Sequence, residues 1–429
     1  MSRETSRIHP VTSWFAYLSM YGIILVFCYW SPTFSEPKMM VMAVSAIVLL
    51  AVSLRSGVQW CGPFRVLLPW FVLLGYGLAV SVFVVDGPRR IETLVTVFQG
   101  GLILLVALSM CRFMEEKKGR EKLYAGLIGA GVLVGFFAMG QEQGWLAPLF
   151  PVFDHYDQSM YSVFGNEDLL GGYMAMVLPL FLFELLYPIK RFNIIWVLLI
   201  GLCLYLLIAC SSRSAWLAAS CSVAYSIYFV VLKREEKKIH WGWLLFPLIV
   251  LVPMGTRVFT RISETFGAGD VGGNLRILFY DATLRMIGDH PFFGVGMGQY
   301  AYHSPAYTGA ALWAPGGMQH VYNHVDTIHA HSDVLELAAE TGVVGLLILL
   351  WALWRIPRKA TLFMGCLIGF AVFSLLNPVA HSPAHAYTAV VCLLLHCYVG
   401  RGKEESYRRV ANKDRRLKEK QERLAHWNE

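Results

Sequence analysis

The chain has 429 residues, of which 56% are hydrophobic and only 15% charged, with a formal net charge of +7. Soluble domains carry about a quarter charged residues, so this composition excludes an ordinary soluble protein and points to a polytopic membrane protein. The positive charge sits in connectors and in the C-terminal tail rather than on one basic surface, and no nucleic-acid partner is expected.

Apolar runs able to cross a bilayer, which takes about 20 residues, fall near 11–30, 39–54, 64–85, 91–111, 122–140, 169–188, 193–210, 214–232, 241–254, 334–354, 360–376 and 384–400. No small-residue cleavage pattern follows the first, so it reads as a retained span and not a signal peptide. One set of connectors is short and basic: Arg55 with Arg65, "CRFMEEKKGREK", "PIKRFN", "KREEKK", "RIPRK" and the tail from Arg401. The positive-inside rule places these in the cytoplasm. The other set falls outside: "SPTFSEPK", "VDGPRR", the loop near 141–168, "CSSRS", the long stretch 255–333 and "NPVAHSPAH". Twelve spans with both ends inside satisfy every connector except "VDGPRR", where Arg89 and Arg90 break the rule. The expected fold is therefore an all-α polytopic membrane protein of about twelve helices. A transmembrane domain fills 1–400, with an external loop subdomain, 255–333, between spans nine and ten. Residues 401–429 form a charged cytoplasmic tail, suited to anionic membrane lipid or to a partner.

None of the nine cysteines lies in the long external stretches and no CxxC spacing occurs, so neither a disulfide framework nor a cysteine metal site is expected. The stretch 255–333 is too long for an idle connector. It holds "NLRILFYDATLRMIGDH", apolar at helical spacing, and then the turn-rich "PFFGVGMGQY". Its aromatic residues Tyr300, Tyr302, Tyr307, Trp313 and Tyr322 suit a membrane surface or a sugar face.

Nine of thirteen histidines fall in external connectors: His155, His290, His303, His320, His324, His329, His331, His381 and His385. Three readings compete: metal ligands, polar groups at a wet interface, and a general base working near neutral pH. His320 and His324, four apart, share a helix face, yet no HExxH pattern accompanies them. His331 best fits the base. Ser332 or Asp333 caps the helix that follows, and Asp333 with Glu336 three residues on reads as a capping box. His331 then stands just outside a helix N-terminus, whose partial positive charge keeps the imidazole neutral. His329 lies two residues before it. Glu340 enters the apolar run itself, which marks either a functional carboxylate or a structural partner for an arginine or a cap. Gly342 and Gly345 permit close helix packing.

Arginines gather on the same side: Arg213 at the mouth of a span, then Arg257, Arg261, Arg276 and Arg285. Arg276 and Arg285, nine apart, point oppositely on one straight helix, and Arg276, with Tyr280 one turn on, is the better candidate for a shared ligand. Interface snorkelling accounts for one such arginine more easily than for several. A cluster outside suits an anionic ligand, and the planar guanidinium fork suits phosphate. A base with an arginine clamp suffices for glycosyl transfer from a polyprenyl diphosphate: the base takes the acceptor hydroxyl proton, and the cations receive the departing diphosphate.

"HSDVLELAAETGVVG", His331 to Gly345, resembles the signature of the O-antigen ligases, His-[Asn/Ser/Gly], nine residues, Gly, two residues, [Gly/Thr/Tyr]. "RSAWL", Arg213 to Leu217, is similar to their Arg-three residues-Leu element, "RILFYDATLRMIGDHPFFGVGMGQY" to the superfamily's central loop, and "GNEDLLGGYMAMVLPL", containing Asn166, to an earlier external element. After "GN", where the family often has a second asparagine, this chain has Glu167 and Asp168. The resemblance implies a metal-independent, inverting membrane glycosyltransferase of the GT-C class that uses no cofactor. By the resemblance His331 would be the base and Arg213 and Arg276 the diphosphate ligands; Asn166, Arg89, Tyr280, Arg285, His329 and Glu340 are candidate supporting residues beside them. The implied donor is an undecaprenyl-diphosphate glycan in the bacterial inner membrane, with chemistry on the periplasmic side. The implied acceptor is lipid A–core for a ligase, or another lipid-linked repeat for a polymerase, which would bring a chain-length regulator as partner. The Arg285-ten residues-Gly296 spacing fits polymerase loops as well; related enzymes glycosylate protein side chains. A lipid-glycan transporter is the reading from another class. The absence of a repeat between halves, and the gathering of titratable groups in one outer loop, weigh against it.

Overall fold

The computed structural model describes residues 10–27, 34–55, 64–83, 90–150, 160–186, 193–232, 259–260, 263, 271–315, 325 and 327–399. The predicted run 241–254, the tail 401–429, and Arg89, His155, Arg257, Arg261, His320, Tyr322 and His324 lie outside the described residues. Among the described residues the chain is all-α, without strands. The helices are α1 (Pro10–Leu25), α2 (Ser35–Arg55), α3 (Phe64–Phe83), α4 (Arg90–Glu115), α5 (Lys117–Glu142), α6 (Glu167–Leu186), α7 (Asn193–Ala209), α8 (Arg213–Leu232), α9 (Val271–Asp289), α10 (Tyr300–Leu312), α11 (Asp333–Trp354), α12 (Leu362–Ser374) and α13 (Pro383–Tyr398).

Six of them, α2 to α6 and α11, are long and apolar enough to cross a membrane. The expected count of twelve is not reached among the described residues. Helices α1, α7, α12 and α13 have only 16, 17, 13 and 16 residues, short of the roughly 20 that a full crossing takes.

Helix α6 is apolar all round, and almost every residue from Leu170 to Leu186 is buried, the pattern of a helix enclosed by others rather than one with a single lipid face. It packs against α8 and α12, which also pack on each other. Lys38, 2% exposed on α2, donates to Val26 O at 2.7 Å, Phe34 O at 2.9 Å and Val163 O at 2.7 Å. All three ammonium protons are thus satisfied. This ties the segment just before α6 to α2 and to the end of α1, and so fixes where α6 begins.

The described part of the external stretch is the pair α9–α10, which pack on each other and on α11. Leu278, Ala282, Ala311 and Leu312 bury one small core between them, and Met286, Val295, Tyr300, Ala330 and Ala339 bury a second against α11. Tyr300, expected at a surface, is buried there with its hydroxyl 2.8 Å from Thr283 Oγ1: its ring fills the gap between α9 and α10. Tyr302 and Trp313 are exposed.

Helix α11 is broken at Gly342, where φ is 64° and ψ −165°. The break removes the usual partners of Ala339 O and Glu340 O, and the turn after α9 supplies replacements. Val295 N donates to Ala339 O at 2.9 Å, Gly296 N to Glu340 O at 2.9 Å, and Val343 N in return to Pro291 O at 2.9 Å. A Cβ on Gly342 would collide with the Phe292 carbonyl, and one on Gly294 (φ 71°) with the Glu340 backbone. These glycines let "PFFGVGMG" dock backbone to backbone on a broken helix, which differs from the helix-on-helix packing expected of Gly342. We expect Gly342→Ala to lower stability by at least about 2 kcal/mol, since this region of φ and ψ is essentially glycine-only at about 1–3 kcal/mol and the collision adds to that. An unchanged melting temperature in detergent would show that the docked turn yields freely.

Candidate active site

Arg276, Phe279 and Tyr280 stand at i, i+3 and i+4 on α9 and therefore share one face. That face meets the loop before α11. The Phe279 ring stacks on the His331 ring with centroids 5.3 Å apart and planes 14° from parallel, and Tyr280 Oη donates to His331 O at 3.2 Å. His331 has φ 53°, in the left-handed region that side-chain-bearing residues seldom occupy. The ring stacking and the hydrogen bond to its carbonyl hold it there. The loop then enters α11 through Ser332, the N-cap, whose hydroxyl accepts from Leu335 N.

The expected capping box is not formed. Asp333 Oδ2 instead accepts from Val379 N at 3.1 Å and Ala380 N at 3.0 Å. Glu336 turns back to the loop. Its Oε2 accepts from Ala330 N at 2.8 Å, and its Oε1 lies 3.0 Å from His329 Nδ1 and 2.8 Å from His381 Nε2. The reason is competition: the α12–α13 connector brings backbone N–H groups to Asp333 and an imidazole to Glu336, and both are better partners than the helix's own first turn. Among the described residues His329, Glu336 and His381 also form a group with metal-ligand atoms, all within 4.8 Å of one another. The histidine pair expected as metal ligands, His320 and His324, lies outside the described residues.

Arg276 reaches away from the loop to the start of α6. Its Nη2 lies 3.3 Å from Asp168 Oδ2 and 3.2 Å from Asn377 Oδ1. Asn377 Nδ2 in turn donates to Ser214 Oγ at 2.6 Å, and Ser214 adjoins Arg213, the first residue of α8. Asn166 caps α6, its Oδ1 accepting from Asp168 N at 2.7 Å. His385 Nε2 donates to Leu169 O at 2.8 Å while its other ring nitrogen meets Ser382 Oγ at 2.7 Å; this buried histidine fastens α13 to α6 and is not at a wet interface. The first turns of α6 and α8, the α12–α13 connector and α9 therefore converge on Arg276.

Burial pushes the His331 imidazole below its ordinary pKa, and the Arg276 guanidinium and His329 act in the same direction. The ring is thus held neutral, able to accept a proton. Its neutrality was expected from the helix N-terminus; burial and Arg276 are the causes here. At His381 burial also opposes protonation, but the bond to Glu336 and the charges of Glu336 and Asp333 outweigh it and raise the pKa to about 9.

Of the residues singled out in the sequence, Tyr280 touches His331 and shares a helix face with Arg276, and Arg213 is one residue from the network of Arg276. His329 is adjacent but engaged by Glu336. Arg285 is apart, half-exposed and paired with Asp281 at 3.0 Å one turn back. Glu340 is 6% exposed, and its Oε1 accepts from Tyr300 N at 3.1 Å, so it caps the start of α10. Phe279, Asp168, Asn377, Glu336 and His381 were not expected as site residues. Phe279 was open to inference from its i+3 spacing to Arg276, and Asn377 from its place just after an apolar run; the meeting of Glu336 with His381 depends on a contact 45 positions apart along the chain.

Among curated proteins none matches the chain in sequence. Residues 198–350 match a family model described as O-Antigen ligase. The matched segment holds Arg213, Arg276, Phe279, Tyr280 and His331, and the apolar helices around it fit a membrane glycosyltransferase of the ligase/polymerase type. Over this segment, residues 198–350, the chain is similar to the O-antigen ligases, a likeness that supports the ligase superfamily reading.

Proposed function

We propose that the protein transfers a glycan from undecaprenyl diphosphate to a hydroxyl of lipid A–core at the periplasmic face of the bacterial inner membrane. His331 takes the acceptor proton. The freed oxygen attacks the anomeric carbon, the carbon–oxygen bond to the diphosphate breaks, and the sugar carbon inverts. Arg276 and Arg213 receive the charge gathering on the leaving diphosphate. The observation that carries the reading is one face of α9 that presents Arg276, held by Asp168 and Asn377, and stacks Phe279 on the fixed His331 ring. Fixed groups of this kind cost no reorganisation during reaction.

The test incubates purified protein with undecaprenyl-diphosphate glycan and lipid A–core. Glycosylated lipid A–core is the expected product. Longer lipid-linked glycan would instead make the enzyme a polymerase, and Arg285 and Gly296 would then merit the same scrutiny as Arg276. Absence of either product with donor shown to be bound would sink the reading and turn attention to a transporter or to a protein acceptor.

A further inference from the structure

We propose that His329, Glu336 and His381 bind a zinc-class divalent ion that clips the α12–α13 connector to the loop carrying His331. Two imidazole nitrogens converge on one carboxylate oxygen, Glu336 Oε1, at 3.0 and 2.8 Å. The two rings lie side by side, with centroids 4.4 Å apart and a 36° tilt. Tetrahedral coordination at about 2.0–2.1 Å sets ligand atoms about 3.3 Å apart, so admitting an ion moves each nitrogen away from Glu336 Oε1 by about half an ångström or less. A two-histidine, one-carboxylate set suits zinc or a neighbouring first-row ion better than magnesium or calcium, which favour oxygen.

Two further features agree. The second oxygen, Glu336 Oε2, accepts from Ala330 N at 2.8 Å, the outer hydrogen bond that orients a ligating carboxylate. One turn earlier on the same helix face, Asp333 Oδ1 is buried with no hydrogen-bond partner. A buried, unpaired carboxylate oxygen is costly, and Asp333 acts electrostatically on His381. The pocket therefore gathers two carboxylates around the two imidazoles. Histidine 331 is two residues from His329, so the clip bears on the base's position without joining the chemistry.

The inference stands apart from the transfer reaction, because its readout is bound metal. Purified full-length protein in detergent is stripped with chelator, dialysed, and titrated with Co²⁺ and Zn²⁺. One ion per chain by elemental analysis is expected, with the visible absorption of low-symmetry Co²⁺ displaced by Zn²⁺. His381→Ala, at a partly buried position, and Glu336→Gln should each weaken binding by more than about 100-fold, beyond the 10- to 100-fold that loss of an outer partner costs. His290→Ala, an exposed histidine outside the cluster, should bind as the native chain does. Folded native protein that retains no ion at stoichiometric Co²⁺ would overturn the proposal, and so would His381→Ala binding with native affinity. In either case the cluster is a hydrogen-bonded clamp closed by a proton.

Discussion

Replacing His331 with alanine is expected to lower the turnover of glycan transfer by about 10²- to 10⁴-fold, the range that a positioned general base contributes. Donor binding should persist, because the groups proposed to meet the diphosphate, Arg213 and Arg276, are on α8 and α9. The backbone complicates the reading of this variant. His331 has φ 53°, and an alanine held in the left-handed region costs about 1–2 kcal/mol, so lost activity alone does not separate the ring from a relaxed loop. Two companions separate ring from backbone. His331→Asn keeps a residue that tolerates this conformation but has no basic nitrogen, and His331→Gly frees the backbone altogether. All three should be inactive, with melting temperatures ordered by backbone tolerance rather than by activity. Native turnover in the asparagine variant would mean that the loop, and not the imidazole, is what the reaction needs.

Much of this site was legible before the structure, and the reason is local geometry. His331, Ser332 and the apolar run behind them mark a helix start by composition alone, and Arg276 with Tyr280 one turn on is a statement about helical spacing. What was not legible depends on chain segments meeting across the fold. Asp333 and Glu336 fit a capping box within their own helix, yet Val379, Ala380 and His381 take them as partners, and nothing near Asp333 in sequence announces that. Gly342 read as a packing glycine because such residues are common in membrane helices; its true use, a break that exposes carbonyls to the "PFFGVGMG" turn, appears only when both strands of backbone are seen together. Glu340 follows the same pattern. An apolar run made it suspect, and its partner, the first N–H of α10, lies 40 residues upstream. The count of spans is met only in part, with six crossing-length helices among the described residues, because apolar runs mark burial inside the protein as well as contact with lipid.

Arg276→Ala should both raise KM for the donor and lower kcat, with kcat/KM falling by about 30- to 1,000-fold, equivalent to the 2–4 kcal/mol typical of removing one charge from a close, partly desolvated pair. A group that only bound the diphosphate would move KM alone; one that also meets the charge developing as the sugar–oxygen bond breaks must move kcat. Folding should be affected far less. The ion pair with Asp168 is 23% and 35% exposed on its two sides, and pairs open to solvent contribute at most about 1 kcal/mol. Arg276→Lys retains the charge but loses the planar guanidinium whose Nη2 meets both Asp168 and Asn377, so it should fall between native and alanine. Arg285→Ala supplies the contrast on the same helix. Its partner Asp281 is one turn away at the surface, and its removal should change kcat/KM less than about threefold, in keeping with an exposed pair worth under 1 kcal/mol. If Arg285→Ala cripples transfer while Arg276→Ala does not, the ligand sits on the opposite face of α9, and His331 loses its place as the base because it faces the Arg276 side.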